Sequence, residues 1–268
     1  MKTKLTKMIW ILGLLLLVIF SMFSIIYYNQ EKVIFYPTKL GSDFQFSFPY
    51  EFEEKYIESF DGVKLHGLLF KSELTKGLIF YLHGNAGALN SWGEVAGLYL
   101  ENNYDIFILD YRGYGKSMGK IKNEDQLHKD VQIAYDQIKS GYDENQIIII
   151  GFSLGSGLAS QLAANNHPKM LILKAPFYNL PDLIHHYYPF IPKFMVKFKM
   201  MTNEQLPKIS APIVIFHGDR DELIYYGSSK KLKSKLKPTD KFITLSNQSH
   251  NGINENQDYV RYIDQLLE

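Results

Sequence analysis

The sequence predicts an α/β fold: a mostly parallel central sheet with helices on both faces, preceded by an N-terminal transmembrane helix. Three observations carry that expectation. Short apolar runs of strand length alternate with helix-length segments from about residue 77 onward, the rhythm of successive βαβ units. Ile147 to Ile150 are four consecutive β-branched residues, which suit a strand buried on both faces. Met8 to Tyr28 contains no charged residue and is just long enough for a bilayer core, which needs about 20 apolar residues.

Lys2, Lys4 and Lys7 precede that apolar run and Lys32 is the next lysine. The positive-inside rule therefore puts the N-terminus in the cytoplasm and the remainder outside it, periplasmic or extracellular. Trp10 and Tyr27-Tyr28 would sit at the two interfaces. A cleaved signal peptide shares the basic start, but the apolar run is long and no A-x-A-like site follows it. The expected division is a cytoplasmic tip and anchor over 1–30 and one folded domain over 31–268, for which the length suffices.

Within that domain, Glu31 to Pro37 is an aromatic-rich lead in which Tyr36-Pro37 stays extended. Tyr56 to Phe60 and Val63 to Phe70 form an antiparallel hairpin about Asp61-Gly62. A strand from Gly77 to Leu82 runs into His83-Gly84-Asn85-Ala86-Gly87, and a helix from about Leu89 to Glu101 follows. After a strand from Asp105 to Leu109, Asp110 to Ser117 is a Gly-rich turn, too short for a dinucleotide fingerprint. Asn123 to Ser140 is a helix with Leu127, Val131, Ala134 and Ile138 on one face. Met170 to Leu173 is a further strand. Pro176 to Ser210 then breaks the rhythm as an insertion dense in aromatic residues and methionine, a short helical lid. A strand from Pro212 to Phe216, a helix from about Tyr226 to Leu236, a strand from Lys241 to Leu245 and a helix from Glu255 to Leu267 complete the chain.

The formal net charge is +1, so no nucleic-acid partner is indicated. The chain has no cysteine, which excludes disulfides, thiolate metal sites and a cysteine nucleophile. Nothing in the sequence calls for a cofactor. His185-His186 lacks a nearby carboxylate cluster, and adjacent histidines point to different faces, so a lid surface explains them better than a metal.

Chemistry concentrates at Gly151-Phe152-Ser153-Leu154-Gly155, a G-x-S-x-G between the isoleucine strand and a helix of small residues and Leu. Such a turn strains the serine backbone and leaves no room for a Cβ at the flanking glycines; Gly157 is expected to ease helix-to-sheet contact one turn later. Ser153 is the candidate nucleophile. A serine hydroxyl needs a base, and the base needs a carboxylate to fix its tautomer. His250 is the sole histidine after Asp221 and falls just past the Lys241–Leu245 strand. For the acid, Asp219 and Asp221 both follow the 212–216 strand; the farther one can curl back, so Asp221 is chosen and Asp219 is assigned to the turn or to Arg220. Asp182 and Asp240 are expected to be solvated. The main-chain N–H groups of Asn85 and Leu154 are the expected oxyanion donors. His83 and His217 are expected to be structural.

Together these motifs resemble the α/β-hydrolase superfamily over nearly the whole chain after the anchor. His-Gly-Asn-Ala-Gly at 83–87, Asp-Tyr-Arg-Gly-Tyr-Gly-Lys-Ser at 110–117, Gly-Phe-Ser-Leu-Gly at 151–155 and His-Gly-Asp-Arg-Asp at 217–221 are similar to its membrane-anchored branch. That branch holds protein depalmitoylases and bacterial serine aminopeptidase-like hydrolases; Val-Ile-Phe-Tyr-Pro at 33–37 is similar to it too, whereas Ser249 stands where the branch often has Gly before the histidine. The resemblance implies a Ser153, Asp221, His250 triad and an ester, thioester or amide substrate. The insertion, with Phe177, Tyr178, Tyr187, Tyr188, Phe190 and Phe194 alongside Met195, Phe198, Met200 and Met201, suggests an acyl-chain pocket under a mobile lid. The expected partners are thus a bilayer, through the N-terminal helix, and an acyl ester or thioester. An aminopeptidase-like amide hydrolase is the first alternative, although the insertion offers only Asp182 and Glu204 to a substrate ammonium. A non-catalytic membrane-proximal scaffold is the second.

Overall fold

The computed structural model describes residues 2–268; Met1, at the start of the expected cytoplasmic tip, lies outside the described residues. Helix α1 (Lys2–Tyr28) carries the apolar run, whose most apolar window is not buried by the rest of the chain. A short helix α2 (Gln30–Ile34) leads to β1 (Tyr36–Pro37). The hairpin follows as β2 (Phe52–Glu58) and β3 (Lys64–Phe70), antiparallel with Phe52 opposite Phe70. It begins four residues earlier than expected, because Phe52 packs on Phe46, Phe48 and Phe70. Next come β4 (Leu78–Leu82), β5 (Ala86–Gly87), α3 (Leu89–Trp92), α4 (Ala96–Leu100), β6 (Asp105–Asp110) and α5 (Glu124–Lys139). Then follow β7 (Ile147–Phe152), α6 (Leu154–Asn165), β8 (Met170–Lys174), α7 (Leu180–Tyr187) and α8 (Thr202–Gln205). The chain ends with β9 (Ile213–Gly218), α9 (Tyr226–Leu232), β10 (Lys241–Leu245) and α10 (Gln257–Leu267).

Eight strands form one sheet in the order β10-β9-β8-β7-β4-β6-β3-β2. Among the described residues, only the β2–β3 and β3–β6 pairings are antiparallel; β4 and β6 to β10 pair in parallel. The strand period of two explains how both faces are covered. Leu78, Phe80, Leu82, Ile147 and Ile149 join one core with α5 and α6, while Ile79, Tyr81, Ile148 and Ile150 join another with α4 and α10. The isoleucine run thus feeds two cores at once, which is why no polar residue interrupts it. The α3–α4 region was expected as one helix. It is broken because Gly93 and Gly97, poor helix formers, leave space that Phe48 and Tyr50 fill; a Cβ at either glycine would collide with those rings.

The hairpin edge is fastened by charge. Arg112 donates from Nη2 to Asp130 Oδ1 at 2.8 Å and spans Asp61 with two bonds of 2.8 and 2.7 Å, and Ser59 Oγ also donates to Asp130. Arg112 and Asp130 are both buried. Removing one member of a buried pair leaves the other charge uncompensated. Arg112→Ala should therefore cost about 3 kcal/mol or more of stability, whereas Lys129→Ala, whose partner Asp125 is exposed, should cost under about 0.5 kcal/mol. Chemical denaturation of the two variants checks this.

Candidate active site

The parallel strands deliver their C-terminal ends to one edge, and every sequence-predicted site residue lies there. Ser153 follows β7 and precedes α6 with φ 52° and ψ −117°, a conformation that costs a non-glycine residue of order 1–3 kcal/mol. The turn is held by Ser153 N–H donating to Lys174 O at 2.9 Å and by Ser156 N–H donating to Ser153 O at 2.9 Å. A Cβ at Gly155 would strike Leu82 O, and one at Gly151 would lie 2.6 Å from Gly155 O. Gly157 serves a different contact from the one expected. A Cβ there would lie 2.9 Å from Met200 Cβ and 3.3 Å from Phe177 Cζ, so it makes room for the insertion and not for the sheet.

Asp221 and His250 come together as the loop after β9 meets the loop after β10. His250 Nδ1 donates to Asp221 Oδ2 at 2.7 Å. A carboxylate can only accept here, so the proton is on Nδ1 and the neutral ring presents Nε2 as a base. Asp221 Oδ1 accepts the Leu223 and Ile224 N–H groups at 2.9 and 2.8 Å. Burial pushes the Asp221 carboxyl up, but His217, His250 and the main-chain donors outweigh it and hold the group well below the usual carboxylate range. The His250 ring lies 5.1 Å from the Phe152 ring, beside the serine turn. Among the described residues, Ser153 Oγ makes no hydrogen bond to His250; such bonds are often long without substrate and tighten in the reacting complex.

The two expected oxyanion donors follow β4 and β7, which are neighbours in the sheet. Asn85 O accepts Tyr36 N–H at 2.9 Å and Tyr114 Oη at 2.6 Å, and Asn85 Nδ2 donates to Ile34 O at 3.2 Å. The residue is thereby fixed from three sides. Among the described residues, neither Asn85 N–H nor Leu154 N–H donates a hydrogen bond within the chain.

Comparison with known proteins finds likenesses to hydrolases. The family described as serine aminopeptidase, S33, is matched over residues 73–201. A protein of Mycobacterium tuberculosis is 24% identical over 258 residues, covering 94% of this chain and 91% of its own. The lysophosphatidylserine lipase ABHD12 of Macaca fascicularis is 30% identical over 187 residues, 62% of this chain and 46% of that one. The esterase Pf2001 of Pyrococcus furiosus superposes with a TM-score of 0.71 at 18% identity, over 87% of this chain and 96% of that one. The chain has the α/β-hydrolase fold.

Two residues near the site make contacts that the sequence did not predict. His217 Nε2 lies 2.9 Å from Ile224 O and 3.1 Å from Asp221 Oδ2. Both neighbours are acceptors, so Nε2 carries the proton and His217 is a second buried donor facing the acid. Its spacing of four residues from Asp221 was the available signal. Lys174 at the end of β8 is fully buried, with Nζ 2.7 Å from Asn254 Oδ1; a lysine closing an otherwise apolar parallel strand was the clue. It lines a cavity of about 480 Å³, beside Phe152 and Trp92, that also reaches Tyr81 and Asn251. His83 behaves as expected, Nδ1 donating to Gly84 O at 2.7 Å. Three acidic assignments change. Asp182 is held by Lys231 and by Tyr225 Oη at 3.0 Å, and the Asp240 carboxylate is covered, accepting the Ile213 and Lys237 N–H groups, so neither is freely solvated. Asp219 accepts Asn247 N–H at 2.7 Å, which ties the two loops together.

The insertion divides in two. Phe177, Phe198 and Met200 are buried in the α5–α6 core, whereas Tyr187, Tyr188, Phe190 and Phe194 are exposed and do not line the cavity beside Phe152.

Proposed function

We propose that this α/β hydrolase cleaves an ester or thioester with an acyl chain, through an acyl-enzyme on Ser153. The observation that carries the reading is the shared edge. A strained serine, an Asp221–His250 pair and two unengaged main-chain N–H groups converge on it. In this reading Ser153 Oγ attacks the carbonyl carbon as His250 Nε2 takes its proton. The Asn85 and Leu154 amides then stabilise the oxyanion. The tetrahedral adduct collapses as His250 returns the proton to the departing alcohol or thiol, leaving Ser153 acylated. Water, activated by His250, releases the acid and restores the serine. Asp221 stays ionised throughout and holds the imidazole. The lipase and esterase activities named for the two relatives support an ester substrate. We place α1 across a membrane with the catalytic domain, 31–268, outside the cytoplasm.

Amide cleavage by an aminopeptidase-like mechanism is the second reading. It is favoured by the family description and by Glu94, Glu101 and Glu255 around the cavity beyond Phe152, where a substrate ammonium would sit. Against it, Asp182 of the insertion is already committed to Lys231. Chain-length profiling separates the two. If two or three methylenes become buried at about 0.8 kcal/mol each, kcat/KM on p-nitrophenyl octanoate should exceed that on the acetate by about 10- to 60-fold. Aminoacyl-arylamides should be poor substrates. A preference for acetate removes the acyl pocket, and faster arylamide cleavage selects the peptidase.

A further inference from the structure

Where the chain leaves α1, the insertion is fastened to it. Gln30 is nine-tenths buried, unlike its helical neighbours, and its amide spans the insertion backbone: Nε2 donates to Met195 O at 2.6 Å and Oε1 accepts Lys197 N–H at 2.8 Å. The Lys197 ammonium lies 5.4 Å from the centre of the Tyr27 ring, at the last turn of α1. Phe35 packs edge-on against Phe198 at 5.1 Å. Just before this clamp, the chain turns four large rings outward: Tyr187 and Tyr188, then Phe190 and Phe194 at 67% and 84% exposure. Between Asp182 and Glu204 there is no acidic residue, while Lys193 and Lys199 are exposed. Aromatic rings interspersed with lysines at the emerging end of a membrane helix are the composition of a membrane–water interface.

We propose that the segment 187–194 is a membrane-docking face. It seats Phe190 and Phe194 in the headgroup–acyl boundary of the leaflet from which α1 emerges, so that acyl substrate enters from that leaflet. The inference rests on the acyl-hydrolase reading and on α1 as a membrane span. The bilayer is the occupant because the exposed rings are continuous with α1 through Gln30, and α1 keeps them at the surface. The same segment reaches the site: Tyr187 Oη donates to Glu222 O at 3.1 Å, next to Asp221, and the His186 ring stacks on Tyr225 at 3.6 Å. A docked insertion thus lies between the bilayer and the catalytic edge.

The absence of cysteine makes the test direct. Full-length Phe190→Cys and Phe194→Cys, each spin-labelled, are reconstituted in vesicles of phosphatidylcholine and phosphatidylglycerol in equal parts. Leu74→Cys, exposed between β3 and β4 at the far edge of the sheet, is the control. Labels at 190 and 194 should be open to oxygen and shielded from a water-soluble nickel chelate, with the reverse at 74. Equal chelate access at all three positions overturns the proposal. Shielding that disappears as protein is diluted in lipid also overturns it, in favour of a second copy of this chain. In a second measurement, the Phe190→Ser/Phe194→Ser double variant should lose about tenfold on a vesicle-borne octanoate ester and nothing on a soluble ester. Equal loss on both counts against docking. A wild-type chain that cleaves neither ester defeats the hydrolase reading, while the label accessibilities still decide the docking.

Discussion

Ser153→Ala is expected to leave a folded chain that no longer reacts with a fluorophosphonate probe and has lost about a millionfold in kcat. The size follows from the concerted roles proposed above: without the hydroxyl no acyl-enzyme would form, and His250 and Asp221 would have nothing to activate. What remains, about 1000-fold over water, is the contribution of the oxyanion donors and of binding. The fold should persist, because Ala meets the positive φ at 153 no worse than Ser and the Ser153 N–H bond to Lys174 O is made by the main chain. Asp221→Asn should cost about 10,000-fold, since an amide in place of Oδ2 no longer fixes the proton on His250 Nδ1. It should also lower stability. The depressed pKa of Asp221 means the folded state gains from its ionised form above the unfolded value near 4, a gain lost as pH falls through the lower folded value. A variant at 153 that still takes up the probe would move the nucleophile elsewhere.

The strands and the serine turn were legible because each is written locally. Four isoleucines in a row allow only a doubly covered strand, and Asp61-Gly62 marks its own turn, with Gly62 at φ 76°. The Asp221–His250 hydrogen bond was foreshadowed by chain order for the histidine and by reach past the strand for the aspartate. What failed to show was whatever depends on a partner far along the chain. Gly157 reads as a helix-packing glycine until Met200 and Phe177 are folded over it. The 89–101 helix looks continuous until Phe48 and Tyr50 claim the sides of Gly93 and Gly97. Asp182 looks solvated because Lys231, its partner, is 49 residues away. The insertion gave no sign of which rings would be buried, because composition does not distinguish a ring on a core from one on a bilayer.

Lys174→Met should make the protein more stable at neutral pH and slower. The ammonium is 1% exposed, sits 4.8 to 5.6 Å from the ring centres of Tyr81, Tyr259 and Phe152, and has Asn254 Oδ1 as an acceptor. Burial pulls its pKa down to about 7 against a weaker upward pull from Glu255, whereas an unfolded lysine stays near 10.4. The sign follows by linkage. Below about pH 7 both states hold the proton and the folded state bears the full desolvation penalty. Between about 7 and 10.4 the folded state has released the proton while the unfolded state keeps it, so stability rises with pH until the penalty is gone. The ceiling is about 5 kcal/mol at roughly 1.4 kcal/mol per pKa unit. Lys174→Met should therefore gain up to that amount at pH 6 and almost nothing at pH 10, measured as the difference in denaturant unfolding between variant and wild type. An equal difference at both pH values would show that the lysine carries no such penalty. The lysine is kept against this cost because it joins two parts of the site. Its carbonyl receives Ser153 N–H, and its ammonium holds Asn254 on the loop that carries His250. Releasing Asn254 should lower kcat about tenfold with KM little changed, because the proposed base, His250, loses the support of its loop.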